Sequence, residues 1–390
     1  MTNAVITTTG PDKPGVSAAF FRVLGSYNVE LVDVEQALFS GRISLSAFVD
    51  VDPNRLEDIE QGLRNTLSIY QQQISAELSD ALPRPRSTHA VVVMGRPVTA
   101  SHLSSVAQEL ANFNVNIDRI RGLSQEPVTA LDLSVTVPGE EEPLRKALAA
   151  LSAQLGIDIA VESAGLSRRS RRLICFDCDS TLITGEVIEM LAAHAGKEAE
   201  VAAVTERAMR GELDFEHSLR ERVATLAGLP ARVIDETAAS LTLTPGVRTT
   251  IRTLKNLGYR VAVVSGGFIQ VLEGLAKELD LDYVRANTLE IEDGKLTGRV
   301  IGKVVDRQAK EAFLREFAAD AGISMSRTIA VGDGANDIDM ITAAGLGIAF
   351  NAKPALREVA DAQVNHPYMD EILQILGIPS DDVVRAEDAE

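Results

Sequence analysis

The sequence predicts an α/β protein in three parts: two small modules ordered β-α-β-β-α-β, then a larger domain built on a parallel sheet. Three observations predict this. A segment beginning at Asn28 recurs at Asn114 with the same surroundings. From Arg172 onward, short apolar runs alternate with amphipathic stretches, the pattern of parallel strands joined by crossover helices. Acidic or glycine-rich segments come directly after several of those runs, as expected where strands end in a ligand crevice.

The repeat is read first. Asn28-Val29-Glu30-Leu31-Val32-Asp33-Val34 is echoed by Asn114-Val115-Asn116-Ile117-Asp118-Arg119-Ile120. A strand comes first in each copy (Ala4 to Thr8; Ala90 to Met94), then an amphipathic helix (Val16 to Leu24; Leu103 to Phe113). Two alternating strands come next (Val29 to Leu38 and Ile43 to Val51; Val115 to Ile120 and Ala130 to Val137). A second helix (Arg55 to Leu67; Pro143 to Leu155) and a last strand (Ile74 to Leu78; Ile157 to Val161) close each copy. This is the ferredoxin-like split βαβ order. Leu82-Pro83-Arg84-Pro85-Arg86-Ser87 reads as a linker, because its prolines favour extended backbone. The basic run Arg168-Arg169-Ser170-Arg171-Arg172 reads as a second, solvated linker. The expected domains are residues 1–82, 83–166 and 167–390.

In the third domain the expected strands are Leu173 to Phe176, Arg260 to Val264, Tyr283 to Arg285, Thr328 to Val331 and Gly347 to Phe350. A helical insert of about residues 186–240 separates the first two. Thr244 suits an N-cap, Pro245 a first turn, and Val247, Ile251, Leu254 and Leu257 an apolar face ended by Gly258. Asp293-Gly294 turns a hairpin over Leu289 to Val300. The acidic tail, residues 379–390, is expected to fray.

Composition narrows the function classes. The 390 residues are 45% hydrophobic and 24% charged, ordinary for a soluble globular chain. No window approaches the ~18 apolar residues that span a membrane, and the N-terminus lacks signal-peptide form, so the cytoplasm is the expected compartment. A net charge of −18 argues against nucleic acid and anionic membranes as partners. The two cysteines, Cys175 and Cys178, allow no disulfide framework. Their C-x-x-C is interrupted by an aspartate and reads as incidental packing rather than redox chemistry.

The chemistry starts from Asp177-Cys178-Asp179-Ser180-Thr181. Few folding reasons explain two carboxylates directly after a buried strand, since like charges repel and resist desolvation. They can bind a hard cation and offer a nucleophilic oxygen. Ser265-Gly266-Gly267 comes after the second strand, where glycines let backbone N–H groups approach an anion. Gly332-Asp333-Gly334-Ala335-Asn336-Asp337 comes after another strand, and Asp333 could complete a Mg²⁺ site. A phosphate facing three carboxylates needs positive charge beyond the metal, and Lys310 is the candidate, although a helical lysine is ordinarily solvated.

Taken together, Asp177-x-Asp179-x-Thr181, Ser265, Lys310 and Gly332-Asp333-Gly334-x-x-Asp337 resemble the four ordered motifs of the haloacid dehalogenase superfamily, over about Arg172 to Leu376. The fold this implies is a Rossmann-like parallel sheet with a helical cap. The likeness is closest to phosphoserine phosphatases, in Asp177 to Leu182, Glu186, Val264 to Phe268 and Val331 to Asp337. Cys178 stands where many members carry phenylalanine. The resemblance implies Mg²⁺-dependent hydrolysis of O-phosphoserine, the closing step of serine biosynthesis. Asp177 would be the nucleophile and Asp179 the general acid and base. Asp177, the Asp179 carbonyl and Asp333 would hold the metal. Ser265, Gly266 and Lys310 would clamp the phosphoryl group, Asn336 would touch phosphate or a water, and Asp337 would support from behind. In the cap, Glu186 would take the substrate ammonium and Arg222 its carboxylate, under a lid of Phe215 and Met209.

The repeats resemble ACT domains, small ligand-sensing modules. Gly10-Pro11-Asp12-Lys13-Pro14-Gly15 is similar to their ligand loop, which implies L-serine or another amino acid near Asp12 and Gly15. Gly95-Arg96-Pro97-Val98-Thr99 lacks the aspartate and second glycine of that loop. ACT pairing implies a homodimer. Two alternatives stay open: a phosphatase or phosphotransferase for another small phosphomonoester, and an amino-acid sensor with a retired catalytic domain.

Overall fold

The computed structural model describes residues 2–80, 87–165, 168, 170–209 and 214–383. The proline-rich segment 81–86, Arg169 and the tail beyond 383, where a linker and a frayed end are expected, lie outside the described residues. The chain forms two compact units, residues 1–86 and 87–390.

In the first unit, β1 (Thr2–Pro11), β2 (Glu30–Phe39), β3 (Arg42–Val51) and β4 (Gln73–Leu78) form an antiparallel sheet in the order β2-β3-β1-β4. Helices α1 (Val16–Ser26) and α2 (Leu56–Leu67) cover one face. The period of two in β1 and β3 buries Ala4, Ile6, Leu45, Ala47 and Val49 against Phe20, Leu24, Ile59 and Leu63.

The second unit opens with the same topology. Strands β5 (His89–Gly95), β6 (Asn116–Ser124), β7 (Thr129–Thr136) and β8 (Asp158–Ser163) take the order β6-β7-β5-β8, with α3 (Ala100–Asn112) and α4 (Glu141–Leu155) on one face. Val91 and Val93 point into the module's own core. Val92, Met94, Ala130 and Ala160 point the other way and join the core of the large domain. Burial on both faces is why β5 reads as an unbroken apolar run.

That packing corrects the reading of the basic run. Arg168 and Arg171 are buried rather than solvated. Arg168 Nη1 donates to Asp132 Oδ1 at 3.2 Å, and its Nη2 to the Ile375 carbonyl at 2.6 Å. Arg171 pairs with Glu162 at 2.6 Å. Asp132 and Glu162 lie two residues beyond Ala130 and Ala160, on the same sheet face, so they meet the arginines inside the contact.

The large domain carries a seven-stranded sheet in the order β12-β11-β10-β9-β13-β14-β15. Its strands are β9 (Leu173–Phe176), β10 (Arg260–Phe268), β11 (Tyr283–Glu292), β12 (Lys295–Ile301), β13 (Thr328–Gly332), β14 (Gly347–Phe350) and β15 (Ala362–Val364). All neighbours pair in parallel except β11 with β12. Ile174 and Phe176 face one core layer, Leu173 and Cys175 the other. The chain runs β9-β10-β11 to one side and resumes with β13 on the other side of β9, so β9 borders the switch point where ligands bind.

Three local expectations change. The strand at Tyr283 and the hairpin are one element: β11 runs unbroken from the parallel sheet into the hairpin with β12. β15 was not anticipated, because three residues carry too little pattern. Helix Val247–Asn256 starts after Gly246 in a left-handed conformation, not at a Thr244 cap. Thr244 instead donates its hydroxyl to the Thr181 carbonyl at 2.7 Å, and Leu257 is exposed beyond the helix end. The insert consists of helices Val187–Ala195, Glu198–Met209, Phe215–Ala224 and Arg232–Ser240. Among the described residues no helix is long and apolar enough to cross a membrane.

Candidate active site

The site lies at the carboxyl ends of β9, β10 and β13. Asp177 is the first residue past β9, and its N–H extends the ladder by donating to the Val331 carbonyl at 2.8 Å. This fixes the carboxylate at the carboxyl end of the sheet. Asp177 Oδ1 accepts from the Cys178 N–H at 2.7 Å and faces Lys310 Nζ at 2.7 Å. The chain then makes one wide turn over Cys178–Leu182, interrupted at Asp179 and at Ser180, whose φ is 57°. The interruption sends Asp179 towards β10. Its Oδ1 accepts from the Val187 N–H at 2.8 Å and its Oδ2 from the Ser265 hydroxyl at 3.2 Å.

Ser265 is held in turn by the Gly267 N–H at 2.8 Å. A β-carbon on Gly267 would stand 2.9 Å from Asp179 Oδ2, which explains a glycine there. Asn287 Nδ2 donates to the Gly266 carbonyl at 2.8 Å, fixing the irregular end of β10, beyond the expected stop at Val264, from the neighbouring strand.

The loop after β13 wraps around Asp337. Its Oδ2 accepts from the N–H groups of Asp333 at 3.2 Å and Gly334 at 3.1 Å. Its Oδ1 accepts from Lys310 Nζ at 2.6 Å. Lys310 is 0% exposed, so the lysine that sequence patterning assigns to solvent is buried between two carboxylates. Asp306 Oδ1 caps the lysine's helix, accepting from the Ala309 N–H at 2.8 Å.

The electrostatics show too few cations for the acids present. Burial, and then Asp337, push Asp177 well above the carboxylate range, with Lys310 opposing. Burial and Glu186 push Asp179 up to about 7. Burial and Asp337 push Asp333 up to about 6. Burial disfavours the Lys310 ammonium, but Asp177 and Asp337 more than compensate and raise it. Oxygens of Asp177, Asp333 and Asp337 lie within 4.8 Å of one another. Hard, all-oxygen donors short of positive charge fit a divalent metal.

Three residues of the cap, Glu186, Arg222 and Phe215, approach this centre. Ser180 Oγ donates to Glu186 Oε1 at 2.8 Å. Arg222 is half-buried, its Nε donating to the Ser218 carbonyl at 3.3 Å. Burial lowers its pKa, opposed by Glu186, Asp179 and Glu189. The Phe215 ring stands 3.4 Å from where a Gly266 side chain would be. Asn336 is half-buried beside Gly334. Met209 ends its helix, and its side chain lies outside the described residues. Asp12 and Gly15 belong to the first unit and form part of no catalytic cluster among the described residues. Both cysteines are free and buried, and burial raises both thiols, which disfavours the reactive thiolate.

Sequence reasoning missed Asn287; it placed Gly267 and Thr181 in motifs without giving them a role, and the Thr181 hydroxyl faces Asp333 Oδ1 at 3.5 Å. Asn287 sits inside a strand, and nothing in its surroundings marks it.

Comparisons with known proteins place the chain in a family. Residues 171–345 match the haloacid dehalogenase-like hydrolase family, and residues 2–77 and 87–162 each match an ACT domain family. Fold and site thus define a hydrolase of the haloacid dehalogenase type with two ACT domains. The chain is 54% identical to a phosphoserine phosphatase of Mycobacterium tuberculosis, over 99% of this chain and 95% of that one. It is 52% identical to a phosphoserine phosphatase of Streptomyces coelicolor, over 97% and 93%. A solved phospho-aspartyl intermediate analogue of phosphoserine phosphatase is 48% identical, with a TM-score of 0.50 over 52% of this chain and 98% of that one. The chain belongs to the phosphoserine phosphatase family.

Proposed function

We propose that this protein hydrolyses O-phospho-L-serine to L-serine and phosphate through an aspartyl-phosphate on Asp177. The observation that carries the reading is the buried Lys310, bridging Asp177 at 2.7 Å and Asp337 at 2.6 Å beside an Asp179 whose pKa is about 7. An Asp177 oxygen attacks phosphorus while the bond from phosphorus to the serine oxygen breaks. Protonated Asp179 gives its proton to that leaving oxygen. Water then attacks phosphorus, Asp179 takes the water's proton, and the bond to Asp177 breaks, releasing phosphate. A pKa near neutrality lets one carboxyl serve both halves. Ser265, the Gly266 N–H, Lys310 and Asn336 orient the phosphoryl oxygens. The metal is Mg²⁺, with Asp177, the Asp179 carbonyl and Asp333 as the residues that would hold it. When bound, it neutralises charge between the nucleophile and the phosphoryl oxygens.

Glu186 and Arg222 set the substrate, one taking the α-ammonium and the other the α-carboxylate, with Phe215 and Met209 closing over them. Phosphate release from phosphoserine and from an aryl phosphate, with Mg²⁺ or EDTA, tests this. Arg222→Ala should raise KM for phosphoserine by about 30-fold or more, the worth of a lost charge-assisted pair, while sparing the aryl phosphate. Equal losses on both substrates would refute the clamp. Asp177→Asn should be inactive on both.

We also propose that an amino acid, L-serine in the first instance, regulates the enzyme through the first ACT domain. Gly15 sits at φ 99° at the start of α1, and the exposed Asp12 donates its N–H to the Gly41 carbonyl at 2.9 Å. Simple competitive inhibition by serine, unchanged in Asp12→Ala, would refute the regulatory role. A homodimer fits β2, an edge strand with all ten residues exposed.

A further inference from the structure

Three acids of the second ACT domain's outer sheet face point into its contact with the catalytic domain: Asp132, Asp158 and Glu162, all buried. Asp132 is paired with Arg168 and Glu162 with Arg171. Among the described residues, Asp158 meets no arginine of its own. It faces His366, whose Nδ1 lies 3.5 Å from Asp158 Oδ2 and 3.0 Å from Glu371 Oε2. Asn365 orients Asp158, its N–H donating to Oδ2 at 2.8 Å and its Nδ2 to Oδ1 at 2.5 Å.

Two buried carboxylates therefore share one imidazole. Glu371 is 4% exposed, and its Oε1 has no hydrogen-bond partner among the described residues. Arg96 acts on Glu371 and Arg357 on Asp158, both electrostatically. A buried carboxylate oxygen without a partner is costly, and a bound cation on that carboxylate would offset the cost. One ligand atom from each of Asp158, His366 and Glu371 lies within 4.8 Å of the others. His366 borders a groove of about 760 Å³ together with Asp158 and Asn365, which gives an entry path.

We propose that Asp158, His366 and Glu371 form a second metal site, separate from the catalytic one, for a divalent transition cation of the Zn²⁺ class. An imidazole nitrogen with two carboxylate oxygens is a borderline donor set that favours such an ion over Mg²⁺, and a fourth position remains for water. The ion ties β8 of the regulatory module to the segment after β15 of the catalytic domain. It thereby acts as a cross-link between the sensing and catalytic parts of the second unit.

The test is equilibrium dialysis of the full-length protein against Zn²⁺ with excess Mg²⁺ filling the catalytic site, followed by metal analysis. The expected result is one Zn²⁺ per chain that persists in Asp333→Asn. In His366→Ala its affinity should fall by more than the ~10–100-fold that losing an outer-sphere partner costs. Glu371→Gln, nearly isosteric, should show the same loss if His366→Ala does not fold, with circular dichroism verifying the fold of each variant. Absence of the extra Zn²⁺, its disappearance in Asp333→Asn, or its retention in a folded His366→Ala or Glu371→Gln would overturn the proposal.

Discussion

Asp337→Asn puts the buried charge balance of the active site to the test. The Lys310 ammonium, wholly removed from water, holds Asp177 at 2.7 Å and Asp337 at 2.6 Å. The other Asp337 oxygen accepts from two loop N–H groups, of Asp333 and Gly334. Asparagine offers one oxygen for the work of two. If that oxygen stays on the loop, the amide NH₂ faces the ammonium, donor against donor. If the amide flips, the two loop N–H groups lose their acceptor. Removing one partner of a buried ion pair costs about 3–5 kcal/mol, and neither rotamer avoids it. Urea unfolding of the full chain measures this in the transition that shifts when divalent metal is added, since that transition belongs to the domain holding the acidic cluster. Phosphatase activity should fall by about 100-fold or more, the equivalent of roughly 3 kcal/mol in the barrier. A stability loss below ~1 kcal/mol at unchanged m would refute the role given to Asp337 as Lys310's counterion.

Further outcomes are expected. Because Asp179 titrates at about 7 and must hold a proton to release serine, kcat/KM of the metal-saturated enzyme should fall about tenfold per pH unit above that value; a flat profile to pH ~9 would exclude it as the acid. Protons compete for Asp333, raised to about 6, so calorimetric metal affinity should weaken as pH drops through that value, and equal affinity on both sides of it would count against Asp333 as a ligand. Gly267→Ala drives a methyl against Asp179 Oδ2 at 2.9 Å and Ser265 Oγ at 3.0 Å, and should lower kcat by about 10-fold or more with little change in the unfolding midpoint; wild-type kcat would mean the loop has room to spare. Phe39 on β2 is 82% exposed, and Phe39→Asp should shift the sedimenting species from dimer to monomer, whereas an unchanged mass would place the interface elsewhere.

Much of the site was legible because its parts are local. Asp177 and Asp179 come just after a run of four buried residues, and Asp333 and Asp337 after another, so strand ends and carboxylates are adjacent in the sequence. Lys310 was legible only through motif order, since a lysine on a helix carries no sign that it will be fully buried. The grip of Asp337 on two backbone N–H groups, and the Gly267–Ser265–Asp179 chain of hydrogen bonds, depend on how separate strand ends converge. Thr244 was misassigned because a threonine before a helix suits a cap, while here the Thr181 carbonyl competes for its hydroxyl.

By itself the sequence determined the element order, the duplicated module, the parallel sheet and the acidic strand ends. These come from periodicity and from chemistry confined to a few neighbouring residues. Tertiary structure alone decided which charges leave water. Arg168 and Arg171 look like a solvated linker until Asp132 and Glu162, displayed by the alternation of β7 and β8, meet them in a buried contact. Asp158, His366 and Glu371 likewise become a cluster only when the module's second sheet face is covered. The ionisation of a buried group depends on all its neighbours in space, and those neighbours come from segments some two hundred residues apart.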